Sequence, residues 1–361
     1  MDQTQNTARP KEKKRSNAWN LAICGVAFVL MIGYLFIGKE GSQIVAALQR
    51  FRIEYLFIML ALMLGYWLLE AMCIQILIKK FWSGYPFRYT FTTTMIGQYY
   101  NCITPLSSGG QPFQAIYMGR YGMPASASMA VLLIRMIIYA FVTTMYSVVV
   151  LAVKLPYFLS LENSTLLIIM ALGGFALNAV GIVLFCLLGF WRRGTTKLVH
   201  SGISLLSKLR IVKNKEATLK QTDEQLGGAY ENMRFILKNP RVVAIVVLLT
   251  VVQLTLFYGI SYPTYLGFAD TPTADAATVI STQSMVSMVA AMWPLPGAIG
   301  ASESAYVVFF TAVYGNKTLA DLSMILWRIM TFYLNIVIGI IVTLLLNRKP
   351  KKKNAALDSD K

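Results

Sequence analysis

The chain has 361 residues, of which 56% are hydrophobic and only 14% charged. A soluble domain carries about a quarter charged residues, and several apolar runs here reach the ~20 residues that span a bilayer, so a soluble globular enzyme is excluded. The net charge of +17 is read first as the positive-inside bias of a membrane protein, before nucleic acid is considered.

The chain opens with a basic arm, residues 1–17, containing MDQTQNTARPKEKKR. The apolar run after it has no small-residue cleavage site, so it reads as an uncleaved first span and not a signal peptide. Six full spans are predicted: Ala18–Ile37, Tyr55–Ile78, Ala125–Val153, Thr165–Phe190, Val242–Tyr262 and Leu322–Leu346. Two further apolar segments, Thr90–Tyr117 and Ala276–Val313, are interrupted by Pro and Gly. Residues 192–241 are too polar to span and read as a basic amphipathic linker on the inner membrane surface, with Leu198, Ile203, Leu205 and Leu206 spaced along it. Residues 347–361 form a polybasic tail suited to anionic lipid headgroups.

Charge sets the expected orientation. With both termini in the cytoplasm, 26 of the 33 Lys and Arg fall inside and five outside, and Arg135 and Arg328 lie within spans. Topology thus accounts for the basic charge, and no nucleic-acid partner is expected. Under this orientation Thr90–Tyr117 enters from the cytoplasm and returns to it, while Ala276–Val313 does the same from outside. Both are expected to be re-entrant hairpins, whose broken backbone is tolerable only inside protein or beside a wet cavity.

The two hairpins resemble each other. TPLSSGGQPFQA in the first matches WPLPGAIGASESA in the second, and each precedes a span with one arginine. Gln111 to Arg135 is 24 residues, and Glu303 to Arg328 is 25. The spans before the hairpins carry Glu70 and Gln253 as counterparts. The halves, about 55–153 and 242–346, joined by 154–241, therefore read as an inverted repeat within a membrane domain of residues 18–346. Such a repeat places a transporter's binding site at the interface between halves. The expected fold class is an all-α polytopic membrane protein.

An arginine at mid-span costs about 2.5–3.5 kcal/mol on insertion scales, so Arg135 and Arg328 need a partner or a cavity. They pair with Glu70 and Glu303, snorkel to an interface, or serve a ligand. A planar guanidinium suits phosphate, and half-helix N-termini offer free N–H groups to anions. Candidate substrate contacts are Arg135, Arg328, Glu303, Glu70, Asn101, Thr104, Gly109, Gly110, Gln111, Gly297 and Gly300. No catalytic set, metal site or cofactor motif is visible. The four cysteines, Cys24, Cys73, Cys102 and Cys186, form no CxxC pair, and His200, the one histidine, reads as a surface residue of the linker.

The pattern N-x-x-TP-x-x-x-GG at Asn101, Thr104, Pro105, Gly109 and Gly110, then Arg135, together with P-x-PG-x-x-G-x-x-E at Pro294, Pro296, Gly297, Gly300 and Glu303, resembles the membrane domain of the lysylphosphatidylglycerol synthase/flippase family. That family includes the multiple peptide resistance factor of bacteria, so the resemblance implies the bacterial cytoplasmic membrane and resistance to antimicrobial peptides. It implies movement of phosphatidylglycerol or its lysyl form across the bilayer. The family's two-part members add a C-terminal transferase. This chain ends soon after its last span, so lysyl transfer is not expected. Polyprenyl-phosphate or glycolipid transport, an intramembrane headgroup enzyme, and a lipid-binding subunit that recruits a synthase are the other readings. Expected partners are a membrane phospholipid, anionic lipid at the tail, a second copy of the chain and a separate cytoplasmic synthase.

Overall fold

The computed structural model describes residues 51–161, 164–208, 214–269, 272–291 and 293–348, with Gly25 and Gln49. The first expected span and the polybasic tail lie outside the described residues. All regular structure among the described residues is helical, and five helical stretches are long and apolar enough to cross a membrane. Helix α1 is Glu54–Ile78, α2 Phe87–Ile103, α3 Gly110–Arg120, α4 Ala125–Val153, α5 Leu155–Leu159 and α6 Ser164–Phe190. Then come α7 Arg192–Lys208, α8 Lys215–Leu237, α9 Pro240–Gly259, α10 Ser261–Phe268 and α11 Ala276–Ala290. Last are α12 Ala301–Tyr314, α13 Lys317–Arg328 and α14 Leu334–Arg348.

Local chemistry sets several boundaries. Asn214, Asp275 and Asn316 cap α8, α11 and α13 by accepting from backbone N–H groups of the first turn, which have no helical partner of their own. Pro124 stands just before α4, and Pro240 opens α9, where a missing N–H costs nothing. The spans are apolar all round. Their inner faces form the core (Met63, Ile74, Leu77, Val131, Val246), and Leu64, Leu68, Leu172, Leu184, Leu248 and Ile341 face outward. An outer surface of this kind fits lipid.

Each interrupted segment is a helix–break–helix hairpin. In the first, α2 and α3 pack side by side, with Tyr100 stacked on Phe113 at 3.4 Å and Gly97 against Gln114. Its tip is a 3-10 turn, Pro105–Ser107. The second hairpin pairs α11 with α12 around the 3-10 turn Pro296–Ala298. The two tips touch each other. Between the hairpins, α1 and α9 run against one another, with Tyr66 and Phe257 rings 5.0 Å apart.

The element ends sort into two sets. Arg52 Nη2 donates to Leu266 O at 2.7 Å, and Lys154 Nζ lies 3.8 Å from Asp275 Oδ1 and 3.0 Å from Thr278 Oγ1. At the opposite set Lys80 Nζ donates to Asn239 Oδ1 at 3.4 Å, and Gly228 packs on Ser126. These are the groupings that the charge count puts on opposite sides.

Three expectations need correction. The last span is not one uniform helix: Ile329–Tyr333 is a π-helical segment between α13 and α14. The fifth continues past Tyr262, through a joint at Ile260, to Phe268. The linker does not simply lie on the membrane. Leu226, Ala229, Met233 and Ile236 of α8 recur every three or four residues and are buried, Met233 and Ile236 in the same core as Ala127 and Ala130 of α4. A helix with such a stripe gains more by covering protein than by floating at an interface. Leu198 and Leu205 of α7 face outward, as do Phe235 and Leu237 at the end of α8. His200 joins the pair, with Nε2 and Asp223 Oδ1 2.7 Å apart.

Candidate functional site

Arg135 sits on α4 where α1 and α9 converge. Its Nε donates to Glu70 Oε1 at 3.2 Å and its Nη2 to Glu70 Oε2. Nη1 donates to Thr250 Oγ1 at 3.0 Å, and Nη2 also donates to Gln253 Oε1 at 2.6 Å. Gln253 Nε2 in turn donates to Glu70 Oε2 at 2.8 Å. The guanidinium has five N–H donors, and four of them are taken. The carboxylate and the amide that occupy corresponding places in the two halves are therefore bonded to each other, and Arg135 holds both. Arg135 is 4% exposed, and the Tyr139 ring lies 5.2 Å from its guanidinium carbon.

Arg328 ends α13 beside the second tip. Its Nε donates to Glu303 Oε1 at 2.7 Å, and its Nη2 donates to Gly297 O at 2.9 Å and to Ser302 Oγ. Nη1 makes no hydrogen bond among the described residues. Glu303 does double duty, because its Oε2 also accepts from Gly300 N at 2.7 Å and caps α12. The rings of Phe332 and Trp327 lie 5.0 and 5.3 Å from the guanidinium carbon. The π-helical segment starts at the next residue, and such segments concentrate at functional sites.

The tips themselves are strained and open. Leu106, Ser107 and Ala298 have φ of 53°, 51° and 52° without being glycine, a conformation that functional sites tend to store. Gly297, at φ +59°, could not be another residue: a Cβ there would enter the Phe332 ring. Pro105, Leu106, Ser107, Ser108, Trp293, Pro294, Leu295 and Gly300 are all exposed.

The polar residues of the first tip serve the backbone. Thr104 Oγ1 accepts from Gly109 N at 2.9 Å, and Asn101 Oδ1 accepts from Gly110 N at 3.0 Å. Those two N–H groups, read from sequence as free for an anion, are occupied by the protein's own side chains. The reason is geometric: an antiparallel hairpin brings the end of α2 beside the start of α3. Gln111 is half-buried and makes no hydrogen bond among the described residues.

The structure thus brings Arg135 together with Glu70, and Arg328 together with Glu303, Gly297 and Gly300. No hydrogen bond joins the two clusters among the described residues. Sequence reasoning missed Thr250 and Ser302 as arginine partners. Thr250 stands one helical turn before Gln253, and Ser302 is adjacent to Glu303, so the signal was proximity to polar residues already singled out. Among the described residues Arg135 has one N–H donor without a partner, and Arg328 has both of Nη1.

Apolar helices, paired hairpins and intramembrane ion pairs define an all-α polytopic membrane protein. The chain belongs to the lysylphosphatidylglycerol synthase TM region family, whose model matches residues 19–339. Its work therefore concerns membrane lipid. No curated protein matches the chain.

Proposed function

We propose that the protein is a lipid flippase that moves an anionic or aminoacylated phospholipid, of the phosphatidylglycerol or lysyl-phosphatidylglycerol type, across the bacterial cytoplasmic membrane. In this reading the termini are cytoplasmic, the hairpins re-enter from opposite faces, and the two halves exchange access around the tips. The observation that carries it is Arg328, bonded to the second of two touching hairpin tips, with Nη1 uncommitted among the described residues and a carboxylate on its Nε; at 5% exposure it is reached when the tips part. A phosphate can take the free end of the guanidinium, since charge-assisted bonds to oxyanions are the strong ones. Glu303, partly exposed, offers the complementary contact for an ammonium on an aminoacylated headgroup. No group transfer is part of the proposal; the lipid crosses unchanged.

The test is headgroup translocation in liposomes holding only the purified protein. Phosphatidylglycerol, its lysyl form and a polyprenyl phosphate are compared, with Arg328→Ala as control. Movement of one of the first two, lost in the variant while the protein stays folded, is the expected result. Movement of the polyprenyl phosphate alone would reassign the substrate. No movement of any lipid would defeat transport and favour a subunit that recruits a cytoplasmic synthase.

A further inference from the structure

Serine and threonine inside membrane helices usually satisfy their hydroxyls by donating to the carbonyl four residues back. Here Thr94, Thr144, Thr250, Thr264, Thr282, Thr331 and Thr343 all do so. Thr143 and Ser147 do not: Thr143 Oγ1 and Ser147 Oγ are fully buried, make no hydrogen bond of ordinary length among the described residues, and face the Tyr139 and Tyr258 side chains instead. Both face inward on α4, at 9% and 0% exposure.

Their positions are not random. Arg135, Tyr139, Thr143 and Ser147 recur every fourth residue and so form one stripe. Tyr139 faces Thr143 and, across the helix boundary, Tyr66 of α1. Tyr258 of α9 faces Ser147 and also Ser287 of α11. Lys154, two turns past Ser147, reaches Thr278 at the end of the molecule. Four helical residues rise about 6 Å. That gap is too long for a direct hydrogen bond between successive hydroxyls, and one water closes it. A buried water needs two to four polar partners, and the stripe supplies them.

On the other side of the Arg135–Glu70 cluster the lining changes. Ile74, Leu77, Val131, Ile134 and Val246 are buried and apolar, in one contiguous core. The cluster has hydroxyls toward the Lys154 end and apolar side chains toward the Lys80 end, with the Glu70 side chain itself 14% exposed.

We infer that the α4 stripe is a hydrated path giving Glu70 proton access from the Lys154 end alone, and that this access couples proton movement to headgroup transport. The coupling half rests on the transport reading above; the path does not. The charged and titratable groups around Glu70 are Arg135 and Tyr139 of α4 and Tyr66 and Cys73 of α1, while α9 offers only Gln253 and Thr250. Arg135 and a proton compete for the same carboxylate. Hydronium at the Lys154 end gives up a proton and becomes water, the hydroxyls and intervening waters relay it by each accepting one proton and passing on another, and Glu70 takes it on Oε2 as Arg135 Nη2 withdraws. The neutral acid then no longer anchors α4 to α1, so the proton and the clamp define two states.

The experiment uses the full chain in sealed proteoliposomes, with Thr143→Cys, Ser147→Cys and, as control, Ile134→Cys. Silver ion is added to one side, the chains are unfolded, and remaining thiols are counted by maleimide mass shift against the parent protein's native cysteines. Protection of positions 143 and 147 from the Lys154 side only, with position 134 unprotected from either side, is expected. No protection, or equal protection from both sides, overturns the path. Headgroup translocation is then followed under an imposed pH difference. The wild-type rate is expected to change by up to about tenfold per pH unit, the factor one coupled proton allows, and Ser147→Leu is expected to remove that response. Translocation indifferent to the gradient overturns the coupling while leaving transport intact. Absence of translocation with silver protection intact removes transport and coupling together and leaves the path standing.

Discussion

Arg135 and Arg328 occupy matching places, each in the helix after a broken hairpin, yet they are held differently. Arg135 is locked to α1 and α9 through a carboxylate, an amide and a hydroxyl that all come from outside its own hairpin. Arg328 is held by residues of the hairpin just before it, Gly297, Ser302 and Glu303, and keeps one amino group uncommitted among the described residues. One arginine therefore ties the two halves together, while the other stands where the tips meet. A repeated sequence element does not imply a repeated role; the partners that tertiary packing delivers decide it.

Breaking each cluster should separate the two roles. The largest effect is expected for Arg135→Ala. Removing one member of a buried pair typically costs about 3–5 kcal/mol because the other charge is left uncompensated. Thermal unfolding in nanodiscs should show a pronounced fall, and an unchanged midpoint would sink the clamp role. Next comes Arg328→Ala, which also breaks a buried pair and so should lower the midpoint; in protein still folded at the assay temperature it should lower headgroup translocation about 10- to 100-fold, as expected from losing charged hydrogen bonds worth about 1.5–3 kcal/mol. Arg328→Lys should recover little, since a point charge cannot hold Glu303 and Gly297 together.

Gly297→Ala tests the seam. The positive φ and the Phe332 ring both oppose a side chain there, so a loss of about 1–3 kcal/mol is expected; a neutral result would show that the tip can rearrange freely. The smallest effect concerns Asp275, outside the spans. Hydrogen bonds from Thr278, helped by Lys154, hold its carboxyl below the usual value. Its folded-state value being depressed, it adds stability above the ordinary carboxylate range and loses that addition as pH falls through the folded value. Asp275→Asn should therefore flatten a slight acid-side slope in stability and leave the neutral-pH midpoint almost unmoved, as befits an exposed pair.

Much of the scaffold was legible beforehand. Ala125–Val153 was read with its observed bounds, because the run is apolar and its ends are marked by Pro124 and Lys154. The breaks at Pro105 and Pro296 were legible because proline and glycine cannot continue a helix. The pairing of Glu70 with Arg135 and of Glu303 with Arg328 was one of two readings left open, since an isolated charge in a membrane must find either a partner or water. The π-helical segment was not legible: Ile329–Tyr333 is as apolar as its neighbours, and its hydrogen-bond shift leaves no mark on periodicity. Nor was the burial of α8, whose stripe could have covered lipid or protein equally well.

Sequence alone determined that this chain lives in a membrane, that it is helical, and that it breaks its backbone twice near an arginine. Each of those follows from the transfer cost of side chains and backbone groups, which is local. Tertiary structure alone decided that Asn101 and Thr104 serve the first hairpin's own N–H groups, that Glu70 meets Gln253, and that Arg135 is held from α1 and α9 while Arg328 is held by its own hairpin. Those outcomes depend on which helices lie side by side. Residues separated by 183 positions, as Glu70 and Gln253 are, are brought to 2.8 Å only by the packing of α1 on α9, and no local pattern encodes that distance.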